Sequence, residues 1–247
     1  MTEGKHLDNG GMEQVMPSRR KFLAGSAALL AGGALMAVPG VAKAHTTDDP
    51  PSDVDILNYA LTLEHLEYAF YRDGLRKFSR KDLNWTVIVN RGGKAIRRPV
   101  YDEFVRIRDH EDTHVDALTA ALGAAAVPEL EYNFETTAFT SVEQFVNVAQ
   151  LLENTGVSAY DGAIAHIETA ETLTTGATIA TVEARHASYL NLLNGQTGFP
   201  DAFDTPVAPR DVFDAAAGFI TTPLDQEPYG PYRSLRAFRE LLPTTTS

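Results

Sequence analysis

The chain has 247 residues, a formal net charge of −12 and no cysteine. Disulfides, zinc-cysteinate and iron-sulfur sites and thiol chemistry are thereby excluded, and stability has to come from packing. An acidic balance of this size disfavours nucleic acid and anionic lipid as partners.

Residues 1–44 read as an address. Ser18-Arg19-Arg20-Lys21-Phe22-Leu23 is followed by a mildly apolar run to Val38 and then by Ala42-Lys43-Ala44. That is a charged region, an apolar region and a small-x-small cleavage site, and the paired arginines resemble a twin-arginine export signal. The run is short, rich in alanine and glycine, and ended by Pro39, so a stable membrane span is not expected in the mature protein. The expected location is periplasmic, cell-surface or extracellular. Without this segment sixteen basic residues face thirty acidic ones, a net charge of −14. The remainder is enough for one domain with a sizeable core.

Residues 45–52 form a polar, proline-containing linker. Asp53 is expected to cap a first helix that carries Leu57, Leu61, Glu64, Glu67, Tyr68 and Tyr71 on one side and stops near Gly74. Lys77 to Arg98 is a long basic connection, with a short hairpin expected around Trp85 to Val89. Pro99 suits the first turn of a second helix, in which Phe104, Ile107, Glu111, His114, Leu118 and Leu122 recur at steps of three and four before Gly123.

A third helix opens at Thr140 or Ser141, where Thr140-x-x-Glu143 has the form of a capping box. Its inner stripe is Phe145, Ala149, Leu152, Glu153, Gly156, Tyr160, Ala163 and Ile167. Thr174-Thr175-Gly176 is expected to precede a fourth helix bearing Ile179, Val182, Glu183, His186, Leu190 and Leu193, ended by Asn194-Gly195. The tail, 196–247, is expected to pack on the outside, with a short helix near Ser234 to Leu242. Four amphipathic segments and no convincing strand pair make the fold class all-α: a four-helix bundle over 53–195.

The charged residues on the inner stripes are Glu64, then Glu111 and His114, then Glu153, then Glu183 and His186. Tyr71 and Tyr160 stand seven residues after Glu64 and Glu153. The chain thus reads Glu-x6-Tyr, Glu-x-x-His, twice over. Among the six histidines after residue 44 only His114 and His186 have a glutamate three before them, and among nine tyrosines only Tyr71 and Tyr160 have one seven before. His65, His110 and His166 lack that spacing and are expected at the surface or at a helix edge; Asp109, Asp112 and Asp116 are expected on a solvated face.

Four carboxylates and two imidazoles facing a bundle interior are costly unless neutralised, and no lysine or arginine shares those faces. Two divalent cations would balance four carboxylates, with the imidazoles neutral. Oxygen-rich ligation with one nitrogen per metal favours iron or manganese over zinc or copper.

This ligand order resembles that of the ferritin-like superfamily. Within it, Asp55-Ile56-Leu57-Asn58-Tyr59-Ala60-Leu61-x-Leu63-Glu64-x-Leu66-Glu67 and Leu152-Glu153-Asn154-Thr155-Gly156-Val157 are similar to segments of an exported, desiccation-associated group. The resemblance covers roughly Asp53 to Gly195. It implies that Glu111 and Glu183 bridge or chelate two metals and that His114 and His186 each cap one. Glu64 and Glu153 would be terminal ligands, with Glu67 as the alternative to Glu64, and Tyr71 and Tyr160 would orient carboxylates across the bundle. The implied function is a dinuclear metalloprotein protecting against oxidative or desiccation stress. A catalase-like or ferroxidase-like oxidoreductase and a metal-stabilised scaffold are the alternatives. The expected partners are peroxide or dioxygen and further copies of the chain in a homo-oligomer. No catalytic residue is assigned.

Overall fold

A computed structural model of the chain describes residues 50–84 and 99–246. The expected export segment, the first residues of the expected linker and the hairpin expected at Trp85 to Val89 lie outside the described residues. Four long helices form the body: α1 (Asp53–Lys77), α2 (Val100–Leu122), α3 (Val142–Ala163) and α4 (Ala170–Leu193). Two short ones follow in the tail, α5 (Pro209–Ala216) and α6 (Leu235–Leu241). Among the described residues there are isolated β-bridges, Tyr132 with Ile220 and Tyr229 with Tyr232, and no strand.

The helix ends follow local chemistry, in places one turn away from where periodicity puts them. Ser52, not Asp53, caps α1: its side chain accepts from the Asp55 backbone N–H while the Asp55 carboxylate accepts from the Ser52 N–H, satisfying two orphan donors at once. Asp53 reaches across the bundle instead, accepting from the backbone N–H groups of Glu168 at 2.7 Å and Thr169 at 3.0 Å and so tethering the start of α4. Helix α1 runs through Gly74 to Lys77. A Cβ on Gly74 would lie 2.2 Å from Cε2 of Phe145, so the glycine serves close approach of α3 and does not end the helix. Ser141 caps α3 and Thr169 caps α4, each accepting from a backbone N–H three residues on. The turn expected at Thr174-Thr175-Gly176 is therefore helix, and Ile167 falls just beyond α3, after a 3₁₀ turn at Ile164–His166. Gly123 and Gly195, at φ 56° and 76°, close α2 and α4 as anticipated.

Side-chain contacts fix the topology. Asn58, near the start of α1, donates to the carbonyl of Ala125 just past the end of α2, so these helices are antiparallel. Phe145, at the start of α3, packs on Phe70 near the end of α1, so α3 also runs against α1. Helix α2 thus ends beside Asn58 and α3 begins beside Gly74, sixteen residues apart along α1, or about 24 Å. The connection 124–141 has to travel that length, and its contacts mark the path: Val127 bonds Asn58, Phe134 packs on Phe70, and Glu135 pairs with Lys77. The chain therefore has two long connections, one after α1 and this one after α2.

Helix α1 packs chiefly on α2 and α3 chiefly on α4, with α1 against α3 joining the pairs. At one end the interior is filled by Phe70, Tyr71, Phe104 and Phe145, ring centroids 4.9–5.8 Å apart for successive contacts. The tail covers α1 from outside: Tyr229 shares a hydrogen bond with Thr62, and Tyr232 accepts from Asn58 and donates to Asp55. Helix α6 lies where the short tail helix is expected, with Ser234 as its cap.

Candidate metal centre

Each long helix contributes to one buried cluster at the middle of the bundle. Glu64, Glu111, Glu153 and Glu183 have no exposed surface, and Glu67, His114 and His186 are buried as well. The spacing of three brings each histidine over the glutamate one turn before it, so α2 and α4 each aim two side chains at the same point.

Two groups of donor atoms result, one from Glu64, Glu111, His114 and Glu183, the other from Glu111, Glu153, Glu183 and His186. Within each, one atom per residue lies within 4.8 Å of all the others. Both groups contain Glu111 and Glu183. In the first, Nδ1 of His114 is 2.9 Å from Glu111 Oε2 and 3.2 Å from oxygens of Glu64 and Glu183. In the second, Nδ1 of His186 is 3.1 Å from oxygens of Glu111 and Glu153 and 3.7 Å from Glu183.

This arrangement fits cations better than it fits hydrogen bonds alone. An imidazole Nδ1 carries at most one proton, yet each faces three carboxylates. Glu111 Oε1 and both oxygens of Glu183 are buried without a well-formed hydrogen bond. Among the described residues no lysine or arginine pairs with these carboxylates. Orphaned acceptors at the two shared residues are what a pair of bridged divalent ions would satisfy.

The tyrosines cross between halves. Tyr71 on α1 donates to Glu153 Oε1 on α3 at 2.6 Å, and Tyr160 on α3 donates to Glu64 Oε1 on α1 at 2.5 Å. Each terminal carboxylate is thus held by the hydroxyl from the other half, leaving its second oxygen for the cluster. Burial, and then these carboxylates, push both phenols well above their usual range, so they remain donors.

Glu67 and Glu64 share a face of α1, but only Glu64 enters a donor group. Glu67 stands at the edge of the cluster: a Cβ on Gly156 would lie 3.2 Å from its Oε1 and 3.6 Å from Glu183 Oε2. Gly156 therefore leaves room on α3 for this fifth carboxylate. Burial, reinforced by the carboxylates of Glu183, Glu153, Glu64 and Glu111, raises its pKa well above the ordinary carboxylate value.

One neighbour of the cluster escapes the spacing argument. His110 is half-buried at a helix edge, within the expected range, but its Nδ1 lies 2.8 Å from Nε2 of His186. His65 and His166 stay at the edge, and Asp109, Asp112 and Asp116 are exposed, as expected.

Among the four helices lies a partly open space of about 20 Å³ whose wall exposes only carbon, from Tyr59, Ala60, Leu118, Ala159, Tyr160 and their neighbours. Tyr160 belongs both to this wall and, through its hydroxyl, to the cluster.

Comparison with known proteins agrees with this architecture. The chain is 26% identical over 177 residues to Protein rds1 of Schizosaccharomyces pombe, a stretch covering 70% of this chain and 41% of that protein. It therefore spans less than half the length of that relative. The profile of the family described as "Ferritin-like domain" matches residues 52–196, which contain all four long helices and every residue of the cluster. The chain belongs to the ferritin-like domain family.

Proposed function

We propose that this chain is an exported dinuclear iron or manganese protein that consumes a small oxidant, peroxide or dioxygen, and so protects against oxidative or desiccation stress. The observation that carries the reading is the sharing of Glu111 and Glu183 between two donor groups, which supports two neighbouring cation positions. Each position offers three carboxylates and one imidazole, a donor set suited to iron or manganese. Such a pair, when bound, would supply the redox chemistry toward the oxidant.

The chain's own residues provide enclosure and orientation. Tyr71 and Tyr160 keep Glu153 and Glu64 turned toward the cluster. The carbon-walled space has room for about one small molecule, which suits an oxidant of two heavy atoms, dioxygen above all, better than an extended organic substrate. No cysteine is available for a thiolate-bound electron-transfer iron, which favours disproportionation of peroxide, or Fe(II) itself as reductant, over a peroxidase fed by an internal relay. Export rests on Ser18-Arg19-Arg20-Lys21-Phe22-Leu23.

Elemental analysis of the exported protein should find about two iron or manganese ions per chain. Adding hydrogen peroxide and following dioxygen release identifies catalase-like turnover. Fe(II) and air added to metal-free protein identify ferroxidase-like turnover. Two bound ions with neither response would sink the oxidant reading and leave a metal-stabilised scaffold; no metal would sink both. Arg19→Lys with Arg20→Lys should keep the protein inside the cell, as fractionation would show.

A further inference from the structure

The two halves of the ligand plan differ at one position. Nε2 of His186 lies 2.8 Å from Nδ1 of His110, with the rings 18° from parallel and centroids 5.1 Å apart. Among the described residues no side chain hydrogen-bonds Nε2 of His114; its contacts are all through Nδ1, on the carboxylates.

The repeat accounts for the difference. His110 stands one residue before Glu111 and four before His114, in His110-Glu111-x-x-His114. The second half reads Val182-Glu183-x-x-His186. Valine takes the place of His110, and a valine side chain accepts no hydrogen bond.

A neutral imidazole that coordinates through Nδ1 keeps its proton on Nε2, and an acceptor at that proton fixes the tautomer, orients the ring and strengthens its donation. His186 has such an acceptor in His110 Nδ1, while among the described residues no side chain offers one to Nε2 of His114. We propose that His110 is a positioning residue that makes the position built from Glu111, Glu153, Glu183 and His186 the tighter of the two, so that a divalent cation fills it first. This rests on the dinuclear reading above and adds an order of loading to it.

The test is calorimetric titration of the metal-free full-length mature protein with Mn(II). Wild type should show two steps separated by roughly 10- to 100-fold in affinity, the range that removal of a partner of a metal-bound histidine usually spans. His114→Ala should keep the tight step, and His186→Ala should keep only the weak one. His110→Val should weaken the tight step by roughly the same 10- to 100-fold and leave the weak step within a few-fold. His110→Gln, whose amide oxygen can still accept from Nε2, should restore most of the loss, an effect that mere packing at this half-exposed site would not produce. Two steps unchanged in His110→Val, or a tight step lost in His114→Ala and kept in His186→Ala, would overturn the proposal while leaving the dinuclear reading intact. Absence of Mn(II) binding to wild type would overturn both.

Discussion

Glu111→Ala or Glu183→Ala should each empty both metal positions, whereas Glu64→Ala or Glu153→Ala should each empty one. The difference follows from membership: Glu111 and Glu183 belong to both donor groups, and Glu64 and Glu153 to one each. Losing a shared carboxylate leaves each position with two carboxylates and an imidazole and removes a bridge that neutralises two neighbouring cations. Losing a terminal carboxylate leaves the other position complete. Stability should fall in both states, and further with metal. In the metal-free fold Glu111 and Glu183 face the imidazoles of His114 and His186, so their removal strips those buried groups of partners. With metal present the wild type gains what binding contributes, about 2.7 kcal/mol for each ion at a hundredfold excess over its Kd, and the shared-ligand variants gain none of it. Metal counting by mass spectrometry, paired with denaturation in metal and in chelator, checks both halves. Equal metal loss from all four variants would show that the positions are not bridged.

Much of this centre is legible in the chain before folding, because helical spacing acts locally. Glu111 with His114, Glu183 with His186, and the two glutamate-tyrosine pairs seven apart each lie on one face of one helix, whatever packs against it. Crossing between halves is a different matter. That Tyr71 serves Glu153 and Tyr160 serves Glu64 depends on α3 running against α1, which is set by the Phe145–Gly74 contact and the long connection 124–141. Glu64 and Glu67 are equivalent by periodicity and are separated only by their neighbours, His114 for one and the gap at Gly156 for the other. His110 carries no glutamate three residues before it, and its partner is on another helix, so only packing reveals it. Gly176 lies inside α4, whose early start has a local signal in Thr169, the residue whose side chain caps it. Helix α5 had one too, Pro209 followed by Val212, Phe213 and Ala216, but eight residues are too few to stand out until they pack on α3 and α1.

Raising the pH should widen the stability gap between the metal-loaded and the chelator-stripped protein. In the stripped fold, burial disfavours cationic imidazoles, yet contacts with Glu111, Glu183 and Glu64 outweigh it and push His114 up to about 12. His186 is raised in the same way, against burial, by Glu153 and Glu111. Burial lifts Glu64 from 4.5 to about 8 and carries Glu153 well above its ordinary range. Glu183, held by both imidazoles against the effect of burial, is lowered to about 2. For the histidines, the bound proton's contribution is complete below the unfolded value of 6.5 and is lost as pH rises toward the folded one. A raised carboxylate acts in the same sense: Glu64 favours the fold below 4.5 and loses that advantage by about pH 8. Glu183 works oppositely, its contribution present above 4.5 and lost as pH falls toward 2. The stripped protein should therefore be most stable in mild acid and weaken through neutrality. Metal requires free Nδ1 atoms and ionised carboxylates, so loading expels those protons, and each one released adds about 1.4 kcal/mol per pH unit to the metal's stabilisation. Melting temperatures of loaded and stripped protein from pH 5.5 to 8 should diverge steadily, and calorimetry in buffers of different ionisation enthalpy should count the protons. A gap that stays constant over that range would mean that the cluster binds its metals without surrendering protons.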